Sequence, residues 1–253
     1  MFSKAIVRTP CKNLVNGLTA ANLGLPDYEK ALLQHQDYIR ALEECGLKVT
    51  VLAADDDYPD STFVEDVALL TQNFAILTNP GAPSRKGEVA SMLPVLKDHY
   101  QIIESIAQKG TVEAGDVMMV GKHFYIGLSE RTNLLGARQM IHLLETHQMT
   151  GSVIALTDVL HLKTGVMYLE NNNLLVCGEF VNKPEFKCFN RLEVDADEAY
   201  AANSVWINGT VLTPKGFPKT KKLIESAGYS VREVDVSEFQ KIDGGLSCLS
   251  LRF

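Results

Sequence analysis

The chain reads as an α/β protein made by repeating one unit, a β-hairpin followed by a helix and a further strand. Three observations predict this. Short apolar runs alternate with amphipathic stretches along all 253 residues. The unit recurs about five times, with a period of roughly 50 residues, although no literal identity links the copies. No Pro/Ser-rich linker or charge block divides the chain, so residues 1–253 are expected to form a single domain.

The elements follow in order. "KAIVRT" predicts a strand. "PDYEKALLQHQDYIRALEECG" predicts a helix, with Pro26 and Asp27 at its start and Gly46 as its stop. Tyr28, Ala31, Leu32, His35, Ile39, Leu42 and Cys45 recur on one face of it. "LKVTVLA" is a strand, and "FVEDVALLT" with "NFAILTN" reads as a strand pair turning near Gln72-Asn73. A helical segment begins near Ser84 and is weakened at Pro94. "DVMMVGKHFYIGL" is a hairpin turning at Gly121-Lys122, and "TNLLGARQMIHLLETH" is a helix opened by Thr132 or Asn133. "GVMYLENNNLLVCGE" forms a hairpin with an Asn-rich turn, and "VWINGTVLTP" one that turns at Asn208-Gly209. Pro218 opens the last clear helix, which runs to Gly228, and "YSVREVDV" returns as a strand.

Composition narrows the function classes. Hydrophobic content of 46% with 22% charged residues is that of an ordinary globular protein. A net charge of −7 argues against a nucleic-acid partner, which needs a basic face. The five cysteines, at positions 11, 45, 177, 188 and 248, contain no CxxC and give neither a disulfide framework nor a zinc knuckle. The apolar run at the start is too short for a signal peptide, and no run is long enough to span a bilayer. A protein of the cytoplasm, without a membrane partner, is the expectation.

Nucleotide and serine-hydrolase signatures are missing: no GxGxxG after a strand, no P-loop, no GxSxG. No HExxH exists, and His142 and His147 are five apart on a helix, so no metal site is expected. Cysteine with histidine remains. Cys248 follows Gly244-Gly245 five residues before the end of the chain. It is either a small buried hydrophobe or a thiol whose flexible backbone lets another molecule approach. His161, in "VLHLKTGVMYLE", is equally open to a structural or a chemical role, and its place before Cys248 disfavours the papain order.

Charged clusters sharpen the picture. "PDSTFVEDVALL" sets Asp60, Glu65 and Asp66 close together, the last two in an apolar strand, where unpaired charge is expensive. Alternation along a strand keeps Glu65 and Asp66 out of one pocket unless a bulge or strand end turns one of them; an edge-strand solubilising pair is the plainer alternative. "TVEAGDVMMVG" places Glu113 and Asp116 around an Ala-Gly step. Arg85 and Arg131 stand in loops after strands, either solvated or poised to clamp a carboxylate bidentately. The inventory suits a small zwitterion with a cationic tail.

These residues, within "NGLTAANLGLPDY", "DSTFVEDVALL", "GTVEAGDVMMVG", "HFYIGLSERTN", "LHLKTGVMYLE", "GEFVNKPEF", "YAANSVWIN" and "KIDGGLSCLSLRF", resemble the dimethylarginine dimethylaminohydrolases of the compact bacterial type, in the guanidino-modifying (pentein) superfamily. The resemblance spans the chain with its blocks in order. It implies a five-bladed α/β propeller of ββαβ modules around a central channel. It also implies hydrolysis of Nω-methylated arginines to citrulline and an amine, with no cofactor and a homodimer possible. Cys248 would be the nucleophile, His161 the general acid and base, and Glu113 its orienting partner. Asp60, Glu65 and Asp66 would hold the cationic end or the α-ammonium, and Arg85 and Arg131 the carboxylate. Leu18 and Ile242 would contribute backbone contacts. Arginine deiminase, another guanidino hydrolase, or a catalytically silent arginine-binding protein of this fold are the alternatives.

Overall fold

The structure is a computed structural model that describes residues 1–253. Its strands are β1 (Lys4–Arg8), β2 (Lys48–Leu52), β3 (Ala68–Leu70), β4 (Ala75–Leu77), β5 (Ile103–Ser105), β6 (Val117–Val120), β7 (His123–Leu128) and β8 (Thr150–Ala155). They continue as β9 (Val166–Tyr168), β10 (Asn173–Val176), β11 (Asn190–Glu193), β12 (Val205–Ile207), β13 (Thr210–Pro214), β14 (Ser230–Val234) and β15 (Leu251–Arg252). The helices are α1 (Tyr28–Glu44), α2 (Glu88–Lys97), α3 (Leu134–Thr146), α4 (Pro218–Ser226) and α5 (Ser237–Gln240).

Five three-stranded sheets result, in the orders β15-β1-β2, β3-β4-β5, β6-β7-β8, β9-β10-β11 and β12-β13-β14. Within each blade the first pair is antiparallel and the second parallel. A parallel pair needs a crossover, which is why each tight hairpin is followed by a longer excursion. Residues of all five inner strands, among them Leu69, Met118, Met167, Trp206 and Leu251, line one central channel. The architecture is the α/β propeller that the resemblance implies.

Each hydrophobic core lies between neighbouring blades. Ile6, Leu77, Met92 and Leu251 join the first and second, and Ile76, Val117, Phe124 and Ala137 the second and third. Met118, Leu162, Leu174 and Phe180 join the third and fourth, and Met167, Leu175, Val211 and Ile224 the fourth and fifth. Tyr38, Leu42, Leu212, Val234, Phe239 and Leu246 complete the ring back to the first. The first blade is closed by both termini, with Ala5 opposite Arg252 and Ile6 opposite Leu251. That closure carries the segment holding Cys248 to the axis.

Local chemistry sets the element boundaries. Asp27 caps α1 by accepting from the Lys30 N–H at 3.0 Å, and Asn133, rather than Thr132, caps α3 by accepting from Gly136 at 2.8 Å. α1 buries Ala31, Gln34, His35, Tyr38, Ala41 and Leu42, a face rotated from the sequence stripe toward Gln34, Tyr38 and Ala41, because it packs on β2, β14 and α5 together. Leu32 and Ile39 lie at its margin. α2 begins at Glu88, later than expected, because Pro83–Arg85 forms a separate 3-10 turn. The fourth unit has no α-helix; Gly178–Asn182 and Pro184–Phe186 are 3-10 turns. Gly178 at φ +56 and Pro184 interrupt any continuous helix there.

"FVEDVALLT" is not strand throughout: Val64–Val67 is a 3-10 turn, and pairing starts only at Ala68. The same device recurs before the other inner strands. Ala114–Asp116 precedes β6, Leu162–Thr164 precedes β9, Ala196–Ala202 precedes β12 and Ser247–Leu249 precedes β15. Each blade thus presents a tight turn as its chain enters the inner strand.

Candidate active site

The charged and nucleophilic residues sit on these turns. Asp66 lies in the turn before β3, Glu113 caps the one before β6, His161 caps the one before β9, and Cys248 lies in the one before β15. Asn203 occupies the equivalent place before β12. Residues nearly 200 positions apart therefore converge because they share a place in a repeated unit.

Successive side chains on a 3-10 helix diverge by about 120°. Glu65 and Asp66 consequently separate. Asp66 Oδ2 accepts from Arg85 Nη1 at 2.5 Å, and its Oδ1 from the Gly115 N–H at 2.9 Å. Glu65 turns to the channel, where Oε1 meets Lys163 Nζ at 2.5 Å and Arg252 Nη2 at 3.3 Å. Its Oε2 accepts from Ser247 Oγ at 2.7 Å. Glu65, expected beside Asp66 at a ligand's cationic end, thus lies outside the cavity that Asp66 walls and braces the residue next to Cys248.

Glu113 is fully buried. Oε2 lies 2.9 Å from His161 Nε2, and Oε1 accepts from the Ala82 N–H at 3.0 Å. Asp116, from the same motif, accepts from the Leu162 N–H at 2.9 Å and from Ser129 Oγ at 2.6 Å, pinning the His161 turn to the Glu113 turn. Burial works to neutralise His161, but Asp66, Asp116 and Glu113 outweigh it and raise its pKa to about 9. Burial likewise opposes ionised Glu113 and Asp66, yet His161 holds both below the usual carboxylate range, joined at Asp66 by Arg85. Burial pushes the Cys248 thiol up to about 12, and Glu65 and Asp66 add to the rise. At neutral pH the resting pair is an imidazolium and a thiol.

Cys248 and His161 stand where two cavities meet. One, about 30 Å³, is walled by Leu18, Asp60, Asp66, Arg85, Glu113, Arg131 and Ile242. With His161 and Cys248, that is every site residue expected from the sequence except Glu65. The other, about 360 Å³, runs past Lys163, Cys177, Ala199, Tyr200 and Asn203. The segment after Gly17 lines one side of the smaller cavity through Leu18 and is tied down by three hydrogen bonds. Leu18 N–H donates to Asp60 Oδ1 at 3.0 Å, Thr19 Oγ1 to Lys241 O at 3.0 Å, and Ala20 N–H to Asp243 Oδ2 at 2.6 Å.

The two arginines differ. Arg85 is buried and donates Nε and Nη2 to Glu88, Nη1 to Asp66, and Nη2 also to the carbonyls of Asp60 and Phe63. Of its five N–H groups at most one, on Nη1, is left for a ligand. Arg131 makes one long ionic contact, 3.5 Å to Glu113 Oε1, and keeps its remaining side-chain donors for the cavity. Asp66, Glu113 and His161 each offer an atom within 4.8 Å of the others, a spacing a cation could bridge. The protonated His161 and the Arg85–Asp66 ion pair already occupy those carboxylates, so a metal would have to displace a proton and an ion pair.

The glycines beside Cys248 have a packing origin. A Cβ on Gly244 would fall 2.2 Å from the Phe63 ring, and one on Gly245 2.6 Å from Asn203 Oδ1. They let the backbone pass under Phe63 and Asn203, and they also line the two cavities on which Cys248 opens. Gly115 is constrained in the same way, since a Cβ there would lie 2.8 Å from both Asp66 Oδ1 and His161 Nδ1.

A model of the family "N,N dimethylarginine dimethylhydrolase, eukaryotic" matches residues 26–199. The N(G),N(G)-dimethylarginine dimethylaminohydrolase of Pseudomonas aeruginosa is 56% identical over 100% of both chains. The chain belongs to the dimethylarginine dimethylaminohydrolase family. The enzyme of that name from Streptomyces coelicolor is 32% identical, covering 98% of this chain and 96% of its own. A solved structure of the Pseudomonas protein, a cysteine-to-serine variant complexed with citrulline, superposes with a TM-score of 0.99 over 100% of both chains. The N-terminal domain of the cyanobacterial arginine dihydrolase ArgZ, 20% identical, shares the fold with a TM-score of 0.89 over 100% of this chain and 97% of its own.

Within this dimethylarginine dimethylaminohydrolase fold, several contributors escaped sequence reasoning. Asp116 stood in a noted motif, and only the turn geometry reveals its bond to Leu162. Asn203 donates to Lys163 O at 2.8 Å and to Ser247 Oγ at 3.0 Å, and accepts from the Ser247 N–H at 2.9 Å. It ties the His161 turn to the Cys248 turn, and nothing in "YAANSVWIN" signals that role. Lys163 and Ser247 flank the reactive pair and balance Glu65.

Proposed function

We propose that the protein, acting as one catalytic unit over residues 1–253, hydrolyses Nω-methylated arginines to citrulline and methylamine or dimethylamine through a covalent Cys248 intermediate. The observation that carries this reading is the meeting of Cys248 with the Glu113–His161 pair and Asp66 in one cavity that Arg131 also lines. Membership of the family and the names of its relatives agree with it. Asp66 and Glu113 hold the guanidinium, and Arg131, with at most one N–H of Arg85, holds the carboxylate. Asp60 and the backbone at Leu18 and Ile242 face the α-ammonium.

The resting thiol sets the energetics. With a pKa near 12, forming the thiolate at pH 7 costs about 7 kcal/mol, at about 1.36 kcal/mol per unit. A guanidinium about 4 Å away, across an effective dielectric near 20, returns roughly 4 kcal/mol. The cationic substrate therefore supplies most of the ionisation, and a neutral ligand leaves the thiol protonated. The thiol proton passes to solvent as the cation binds.

The thiolate then attacks the guanidinium carbon. The C–N bond to the methylated nitrogen breaks as His161 donates its proton, so the amine departs neutral and takes up a proton in solvent. The remaining S-linked thiouronium is attacked by a water that the now neutral His161 deprotonates. Collapse breaks the C–S bond, releases citrulline and returns a proton to the sulfur. Substrate cation and water become neutral citrulline and an alkylammonium, with thiol and imidazolium restored.

The test is incubation of purified protein with Nω,Nω-dimethylarginine, Nω-methylarginine and arginine, measuring citrulline and the released amine. Citrulline with dimethylamine from the first is expected, and loss of at least roughly 10³-fold in Cys248→Ser that still binds substrate. Citrulline from arginine alone, with ammonia, identifies a deiminase and overturns the proposal.

A further inference from the structure

Glu88 is a buried carboxylate outside the proposed chemistry. It is the first residue of α2, 4% exposed, and both its oxygens are taken by one guanidinium: Arg85 Nε at 2.9 Å and Nη2 at 2.8 Å. That side-on fork fixes the plane of Arg85 and directs its other end, Nη1, onto Asp66 Oδ2 at 2.5 Å. Asp66 has otherwise only the Gly115 N–H at 2.9 Å, and it walls the cavity that holds Cys248.

We propose that Glu88 is a positioning residue that neutralises Arg85, so that the charge of Asp66 remains available to a cationic ligand group. Were Arg85 balanced by Asp66 alone, the pair would be neutral and would offer a cation little. With Glu88 ionised, the three groups carry one net negative charge facing the cavity. The same fork stops Arg85 from swinging into the space beside Cys248, because four of its five N–H groups are committed to Glu88, Asp66 and backbone carbonyls. The inference rests on the proposed function in taking the ligand to be a guanidinium.

Burial lifts the Glu88 carboxyl to about 7 against the pull of Arg85, with Asp60 and Asp66 adding to the rise. The experiment therefore belongs at pH 8, where Glu88 is charged. Dissociation constants of Nω,Nω-dimethylarginine and of citrulline, its neutral analogue, are measured by calorimetry in Cys248→Ser, which does not turn over, with and without Glu88→Gln. Dimethylarginine is expected to weaken roughly tenfold, the effect of one unit charge about 10 Å away across an effective dielectric near 20. Citrulline is expected to change less than about twofold, and Glu88→Asp, which keeps the charge, to restore preference for the cation. Equal weakening of both ligands, or of neither, overturns the inference.

Should Glu88→Gln not fold, the ratio of the two constants in Cys248→Ser at pH 8 and pH 6 carries the test. The charged groups facing Glu88 are Arg85, Asp60 and Asp66, and His161 keeps its proton throughout that interval. A several-fold fall in cation preference at pH 6 is expected; a constant ratio overturns the inference. Preserved cation preference in a protein that makes no citrulline from dimethylarginine refutes the proposed reaction and leaves the role of Glu88 standing.

Discussion

Replacing Glu113 with glutamine removes the closest counter-charge of His161 while keeping an oxygen for the Ala82 N–H. The contact is 2.9 Å and both groups are buried. A unit charge at about 4 Å and an effective dielectric near 20 is worth roughly 4 kcal/mol, or at most about 3 pKa units. His161 stands at about 9. Without Glu113 its midpoint is expected to fall by two to three units, toward or below the ordinary 6.5, because burial opposes the charge and only Asp66 and Asp116 remain to favour it. NMR titration of the imidazole reads the midpoint directly. Citrulline formation reads the consequence: the protonated form donates to the leaving amine, so activity is lost as pH rises through the midpoint. The alkaline limb should move from about 9 to near neutrality in the variant. A midpoint that stays near 9, or an alkaline limb that ignores the shift, refutes the role given to the pair.

Other perturbations separate residues that look equivalent in the sequence. Arg131→Ala should weaken methylarginine far more than methylguanidine, which lacks the carboxylate. Arg85→Ala should weaken both and also lower stability by roughly 3–5 kcal/mol, because it strands buried Asp66 and Glu88; urea denaturation and inhibition constants distinguish the two, and identical profiles contradict the assignment. Gly115→Ala pushes a methyl against Asp66 and His161 and should lower kcat/KM by roughly 10²-fold, while thermal stability falls only modestly. Wild-type activity in that variant would show the spacing to be uncritical. Alkaline stability follows from linkage. The folded pKa of His161, about 9, lies above its unfolded 6.5, so its contribution is complete below 6.5 and is lost as pH rises through 9. That loss is about 3 kcal/mol between pH 6 and 10, to be measured by urea denaturation at each pH. A flat profile over that interval contradicts a charged His161.

Much of the fold was legible because each unit announces itself locally. The Asn208-Gly209 turn and the Asp27 cap use only neighbouring residues, and the structure keeps both, whereas the face that α1 buries is rotated by its distant packing partners. The turn before β3 was not legible. "FVEDVALL" has strand-like apolar residues, and Val64–Val67 as a 3-10 turn is held by Asp66 bonding Arg85 of its own blade and Gly115 of the next. The fourth blade lacks its helix for a local reason, Gly178 and Pro184, that the repeat pattern concealed.

The sequence by itself determined the repeating α/β unit, the residue types of a thiol, an imidazole and a set of acids, and the family to which they point. Such information is carried by nearest neighbours and by the identity of side chains. Only the tertiary structure decided which of those groups meet. Glu65 parts from Asp66, Arg85 is occupied by Glu88, and Asn203 and Asp116 bind the turns together. The reason is geometric. Closing five blades into a ring brings distant turns to one axis, and the direction each side chain takes there depends on partners as many as 223 residues away.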